Sequence, residues 1–122
     1  GISSDMRKIY EKSLKGDKKA LLTIDLFSYQ IAKYIGAYAS VLDGLDALVF
    51  TAGMGEKAWY VRKKTCDYME HLGIKIDQQK NCGNKIRIHS EKSKVKIFVI
   101  PTNEEMQIAK EVFVIAQKAK KC

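Results

Sequence analysis

Apolar residues in the first forty positions recur every three or four, the spacing of helices with one buried face. Met6, Ile9, Tyr10 and Leu14 share a face of a first predicted helix, with Ser3 or Ser4 placed to cap it and Gly16 placed to stop it. Asp17 stands where it can cap a longer helix over residues 20–42, in which Leu21, Ile24, Phe27, Ile31, Tyr34, Ile35, Tyr38 and Leu42 keep that spacing. Leu22, Leu26, Tyr29 and Val41 spread its apolar surface over most of the circumference, so it expects partners on several sides. After the breaker Asp43 and Gly44, residues 47–51 form a short β-prone run, the pattern of a strand buried on both faces. The glycine turn Gly53-Met54-Gly55 follows at once. Helical spacing then returns over residues 56–72 through Trp59, Val61, Thr65 and Met69, with Arg62, Lys63, Asp67 and Glu70 turned outward and Gly73 as the stop.

Ile74 and Ile76, then Ile86 and Ile88, alternate with polar residues around the turn-rich stretch Asn81-Cys82-Gly83-Asn84, the signature of a short edge hairpin. Residues 95–100 predict a second strand buried on both faces. Pro101 ends it ahead of Thr102-Asn103-Glu104-Glu105, a capping box that opens a last helix carrying Met106, Ala109, Val112, Phe113 and Ala116 inward. Two buried strands that each lead into a helix define an α/β chain with a parallel crossover. In such sheets ligands bind beyond the carboxyl ends of the strands, where the glycine turn and the acidic cap both lie.

Composition narrows the classes. The 122 residues are 46% hydrophobic and 30% charged, with a single Pro, which fits one globular domain and excludes disordered and collagen-like chains. Three Cys form neither a CxxC pair nor an even framework, so a reducing, cytoplasmic setting is expected. The uncharged stretch over residues 34–42 is far too short to span a membrane. A formal net charge of +8 favours anionic ligands, phosphates or nucleic acid. The lysine clusters lack the interleaved aromatics of single-strand binders, so a basic nucleic-acid-binding module is the weaker alternative.

The candidate chemistry sits in two loops. Between a strand and a helix start, Gly53 and Gly55 let the backbone approach a ligand, and a tight structural turn is the competing reading. Gly53-Met54-Gly55-Glu56-Lys57-Ala58 also satisfies a dinucleotide fingerprint with Asp77 as its distant acid, so an NAD-binding Rossmann-type fragment is an alternative. Glu105 can close the capping box. Glu104 is one residue short of that role, which leaves it for a magnesium ion held jointly with substrate phosphates, or for the solvent. His71, His89 and the serines have no neighbouring base in sequence, so no nucleophilic triad is indicated.

Taken together, Gly1-Ile2-Ser3-Ser4-Asp5-Met6-Arg7, Lys33-Tyr34-Ile35-Gly36-Ala37-Tyr38, the run Leu45 to Glu56 and Ile100-Pro101-Thr102-Asn103-Glu104-Glu105 resemble the acetate kinase family, in the family's order and spacing. The resemblance implies that residues 1–122 are the carboxy-terminal portion of that family's nucleotide-binding domain. The implied fold is the incomplete carboxy-terminal half of an actin-like, ribonuclease H-like kinase domain, with two buried parallel strands, flanking helices and a short edge hairpin. The implied full-length activity is phosphoryl transfer between ATP and acetate to give acetyl phosphate and ADP, with Mg2+, in a cytoplasmic homodimer that uses no membrane. The matched positions imply adenosine-binding roles for Asp5, Met6 and Arg7, where the family has Asp-Phe-Arg. They imply the same for Gly53, Met54, Gly55, Glu56 and Lys57, where it has Gly-Ile-Gly-Glu-Asn. Glu104 matches the magnesium-associated glutamate. Members of the family are much longer, and their phosphate-contacting motifs and catalytic residues have no counterpart among these residues. The isolated chain is therefore expected to be inactive, and its first strand to have an open edge.

Overall fold

The computed structural model describes residues 2–101, with side chains from Met6 onward. Helix α1 (Ile2–Leu14) begins before Ser3 and Ser4, so neither serine is its cap. Gly16, at φ +90°, reverses the chain after it. Asp17 caps α2 (Lys18–Val41) as expected, its carboxylate accepting from the amides of Lys19 and Ala20. The buried seam of α2 is narrower than the apolar pattern suggests: Ala20, Ile24, Ser28, Ala32 and Ala39 are buried, whereas Leu22, Leu26, Tyr34, Tyr38 and Leu42 are exposed. Small residues take most of the inner stripe because α1 and α4 lie close against it; of the large side chains only Ile24 is fully buried there, with Phe27, Ile31 and Ile35 half-buried at its flanks.

Strand β1 (Ala47–Thr51) runs parallel to β2 (Lys96–Ile100), with Ala47 opposite Lys96 and Thr51 opposite Ile100. The Thr51 hydroxyl donates to the Ile100 carbonyl at 2.7 Å and ties the carboxyl ends of the strands together. Leu48, Phe50, Ile97 and Val99 face the main core with Ala32, Met69, Ile74 and Ile88. The opposite face buries only Phe98 and Ile100 with half-buried Ala47. The expectation of a strand buried on both faces therefore holds for β2 and fails for β1, where Phe50 alone is buried and Val49 is 41% exposed. Among the described residues the outer edge of β1 has no strand neighbour.

The expected hairpin is reduced to two antiparallel bridges, Ile76 with His89 and Arg87 with Phe98, which place residues 86–88 beside β2. Main-chain bonds from Ile88 to Ile97 and from Val99 to Ile86, 2.9 and 2.8 Å, hold that arm. Between its limbs lies a short helix, α5 (Gln78–Cys82), in place of the expected turn. Asp77 caps it by accepting from Lys80 N at 3.1 Å. The helix expected over residues 56–72 is also broken. A six-residue helix α3 (Ala52–Lys57) ends at Ala58, α4 (Trp59–Asp67) starts in a new direction, and a single 3-10 turn (Glu70–Leu72) leads to Gly73 at φ +82°. Thr102, Glu104, Glu105 and the last predicted helix lie outside the described residues.

Candidate functional site

Beyond the carboxyl end of β1 the chain turns sharply. Ala52 has φ +57°, and Gly53 takes φ +34°, ψ −109°, a backbone conformation essentially confined to glycine. This kink swings α3 back across the strand end. At Gly55 a Cβ would stand 3.3 Å from the main-chain carbon of Phe50, so the second glycine is there for close approach to β1 and not for its dihedral angles.

The turn separates two hollows, and Met54 borders both. One, of about 390 Å³, lies on the strand side among Phe27, Ile31, Phe50, Thr51 and Val61. The other, of about 440 Å³, is lined by Arg7 and Tyr10 from α1, Met54 and Lys57 from the turn, and Ala58, Trp59 and Tyr60 at the start of α4. Arg7 and Tyr10 sit three residues apart and so share a helix face. Tyr10 stacks on Tyr60 with ring centroids 3.8 Å apart and planes 3° from parallel, and Trp59 stands edge-on to Tyr10 at 5.8 Å. Burial, reinforced by neighbouring Tyr10, holds the Tyr60 hydroxyl above its ordinary pKa, so it remains a neutral donor at pH 7. The result is an aromatic pocket with two cations on its rim.

The structure thus brings Arg7, Met54 and Lys57 to one pocket, with Gly53 and Gly55 in the adjoining turn. Met6 is placed differently: it is buried against Ile24, Ala58 and Val61, behind the pocket wall. The Asp5 side chain and Glu104 lie outside the described residues. Arg7 also reaches Glu11 at 3.9 Å, an exposed pair that leaves its charge largely available.

Arg62 is the largest departure from expectation. It is 0% exposed where the helical pattern turned it outward. Its guanidinium donates to the carbonyls of Gly55 and Glu56 at 2.9 and 3.0 Å, so it caps the end of the glycine turn from within. Burial pushes its pKa down to about 10, which leaves it charged at neutral pH. Arg62 and Cys66 keep helical spacing toward Met69 beside Val61 and Thr65, and Cys66 was the overlooked sign of a second inward line. Tyr10, Trp59 and Tyr60 carried no signal of a pocket, because Tyr10 meets the adjacent Trp59 and Tyr60 only when α1 packs against the start of α4.

The dinucleotide alternative does not survive. Its acid, Asp77, is engaged as the α5 cap, and the strand meant to carry it forms an antiparallel bridge where a parallel neighbour is required. Among the described residues no helix is long and apolar enough to cross a membrane.

The fold is shared with solved kinases of short carboxylic acids. It superimposes on the crystal structure of acetate kinase from Porphyromonas gingivalis with a TM-score of 0.75 at 40% identity, covering 93% of this chain and 29% of that one. It matches a propionate kinase from Francisella tularensis subsp. tularensis with a TM-score of 0.76 at 43% identity, covering 87% and 27%. In sequence it is 55% identical over 115 residues to the acetate kinase of Carboxydothermus hydrogenoformans, covering 91% of this chain and 29% of the relative. It is 48% identical over 122 residues to that of Thermotoga maritima, covering 97% and 30%. Residues 1–110 match the acetokinase family, and the chain belongs to it. It spans about 30% of the length of these curated relatives.

Proposed function

We propose that this chain supplies the adenosine side of the cleft in an enzyme that transfers a phosphoryl group between ATP and acetate. The observation that carries the reading is the convergence of Arg7, Met54 and Lys57, drawn from two family motifs far apart in sequence, on one aromatic pocket beside the Gly53 kink. The pocket's volume and stacked rings suit a purine, which gains from aromatic contact as well as from burial. Arg7 and Lys57 on the rim favour the anionic end of the ligand, Arg7 as a planar fork and Lys57 as a mobile point charge. Transfer itself depends on positioning and on neutralising the charge that spreads over the phosphoryl oxygens, and other parts of the longer enzyme supply most of that neutralisation. Magnesium, when bound, adds its charge to the phosphates, and Glu104 is the residue of this chain that we associate with it. A homodimer in the cytoplasm belongs to the same reading.

The test is acetyl phosphate formation from acetate and MgATP by the full-length protein. Lys57→Ala, at an exposed position, should raise the KM for ATP about fivefold by removing one rim charge, with the acetate KM unchanged. Glu104→Ala should lower magnesium-dependent turnover at least a hundredfold, a loss that is read directly as reduced transition-state stabilisation. Absence of acetyl phosphate formation by the unmodified enzyme, or an ATP KM insensitive to Lys57, overturns the assignment.

A further inference from the structure

All five N–H donors of Arg62 are used, and none meets a carboxylate. Nε donates to Asn81 Oδ1 at 2.7 Å. Nη1 donates to the Gly55 and Glu56 carbonyls at 2.9 and 3.0 Å. Nη2 donates to the Asn81 carbonyl at 2.9 Å and to Asn84 Oδ1 at 2.6 Å. A buried cation is costly to desolvate, and neutral acceptors repay that cost only when their geometry is good. The guanidinium is rigid and planar, so the place where Asn81 holds one edge dictates where the carbonyls of the turn rest on another. Asn81 is itself 0% exposed and anchored: its Nδ2 donates to the Trp59 carbonyl at 3.0 Å and to Gln78 Oε1 at 3.3 Å. It therefore spans α5, the Trp59 backbone beside the aromatic pocket, and the glycine turn.

We propose that Asn81 is a positioning residue for the nucleotide, acting through Arg62: the Asn81–Arg62 couple sets the height and tilt of the turn at residues 53–57 against the pocket. The inference rests on the nucleotide reading above and deepens it. Across a trans peptide the C=O and N–H point in opposite directions. Fixing the Gly55 and Glu56 carbonyls on the guanidinium therefore orients the following amides and the Lys57 side chain. Loss of the couple lets the turn drift without disturbing residues that contact the carboxylic acid.

Three variants of the full-length enzyme test this. Asn84 contributes an exposed acceptor at φ +50°, a backbone that glycine adopts freely, so Asn84→Gly removes one bond to Arg62 and keeps the fold. Asn81→Leu removes the buried carboxamide, while Asn81→Asp keeps an oxygen for Nε. The expected ATP KM rises about threefold in Asn84→Gly and about tenfold in Asn81→Leu, with the acetate KM unchanged and Asn81→Asp restoring most of the loss. A general weakening of the fold would move both constants together and would not be rescued. Parallel changes in both KM values, an unchanged ATP KM in Asn84→Gly, or an ATP KM as high in Asn81→Asp as in Asn81→Leu overturns the proposal. Should Asn81→Leu not fold, the ATP KM of Asn84→Gly decides by the same criterion. Amide hydrogen exchange without nucleotide separates this idea from the functional reading. Faster exchange confined to residues 53–57 in Asn84→Gly supports positioning even if the enzyme makes no acetyl phosphate, and unchanged exchange there refutes it.

Discussion

Replacing Arg62 with Met keeps most of the side-chain volume and removes every donor from a site where five acceptors converge. The acceptors do not suffer equally. Asn84 is at the surface and its oxygen rehydrates, and the half-buried carbonyls of Gly55 and Glu56 recover part of their hydration. The Asn81 carbonyl keeps the Asn84 amide at 3.1 Å, so of the two oxygens only Oδ1, on a residue with 0% exposure, stays bare. One unsatisfied buried acceptor at about 2 kcal/mol, with about 1 kcal/mol for each of the two partly rehydrated turn carbonyls, amounts to a loss of about 4 kcal/mol. Against this, the variant no longer desolvates a cation whose pKa burial pulls from 12.5 to about 10, which returns about 3 kcal/mol as an upper bound. The substitution also leaves the turn unpinned, so the net destabilisation should be about 1–3 kcal/mol. The sharper expectation is non-additivity. Adding Asn81→Leu to Arg62→Met removes a bare carboxamide oxygen and should cost about 2 kcal/mol less than Asn81→Leu costs alone. Urea unfolding of the full-length protein measures this from the midpoints at constant slope. Strict additivity of the two substitutions would show that Asn81 and Arg62 are neighbours and not a couple.

The backbone at Gly53 gives a second expectation. A Val there must adopt φ +34°, ψ −109°, so Gly53→Val should cost about 1–3 kcal/mol of stability and also weaken ATP binding in calorimetry. Nucleotide affinity and stability both at the unmodified values would refute the kink. The cysteines give a third. Burial pushes the Cys66 thiol up to about 12 from an ordinary value of 9.0, while Cys82 is exposed. Native protein at pH 8 should therefore alkylate at Cys82 and spare Cys66, as read by peptide mass spectrometry, with Cys66 reacting only after denaturation. Because the folded pKa lies above the unfolded one, the stability contributed by the neutral Cys66 thiol is fully present below about pH 9 and is lost as pH rises from there through about 12. Alkaline unfolding with no steeper loss than a Cys66→Ala variant would contradict this.

What was legible in the chain follows the range of the interactions involved. Asp17 and the Gly16 and Gly73 stops act within a few residues, and each is found where the local pattern puts it. The parallel pairing of β1 with β2 was also legible, since two short apolar runs separated by helices have few other ways to pair. Burial was misread wherever it depends on what lies opposite. β1 has the composition of a central strand, yet only its Leu48 and Phe50 face meets the main core. α2 has apolar residues all round, yet the neighbours present fully bury only Ile24 and a stripe of small residues and leave Leu22, Leu26, Tyr34 and Tyr38 exposed.

Arg62 shows the same limit at the site. A charged residue in a helix is ordinarily solvated, and only Cys66, one turn on and buried beside Thr65, distinguished this one. Its acceptors come from three places in the chain: the glycine turn, the α5 cap region and the loop after it. No window of sequence contains them together. On the proposed reading the family motifs mark the turn and the pocket's cations as ligand contacts, whereas the parts that hold the turn in place are written as an arginine and an asparagine nineteen residues apart. On the proposed reading, geometry at the nucleotide pocket is therefore a tertiary property, set by α5 and transmitted by one buried guanidinium. A change in the α5 region, remote from any motif, is for that reason expected to act on ATP and not on the carboxylic acid.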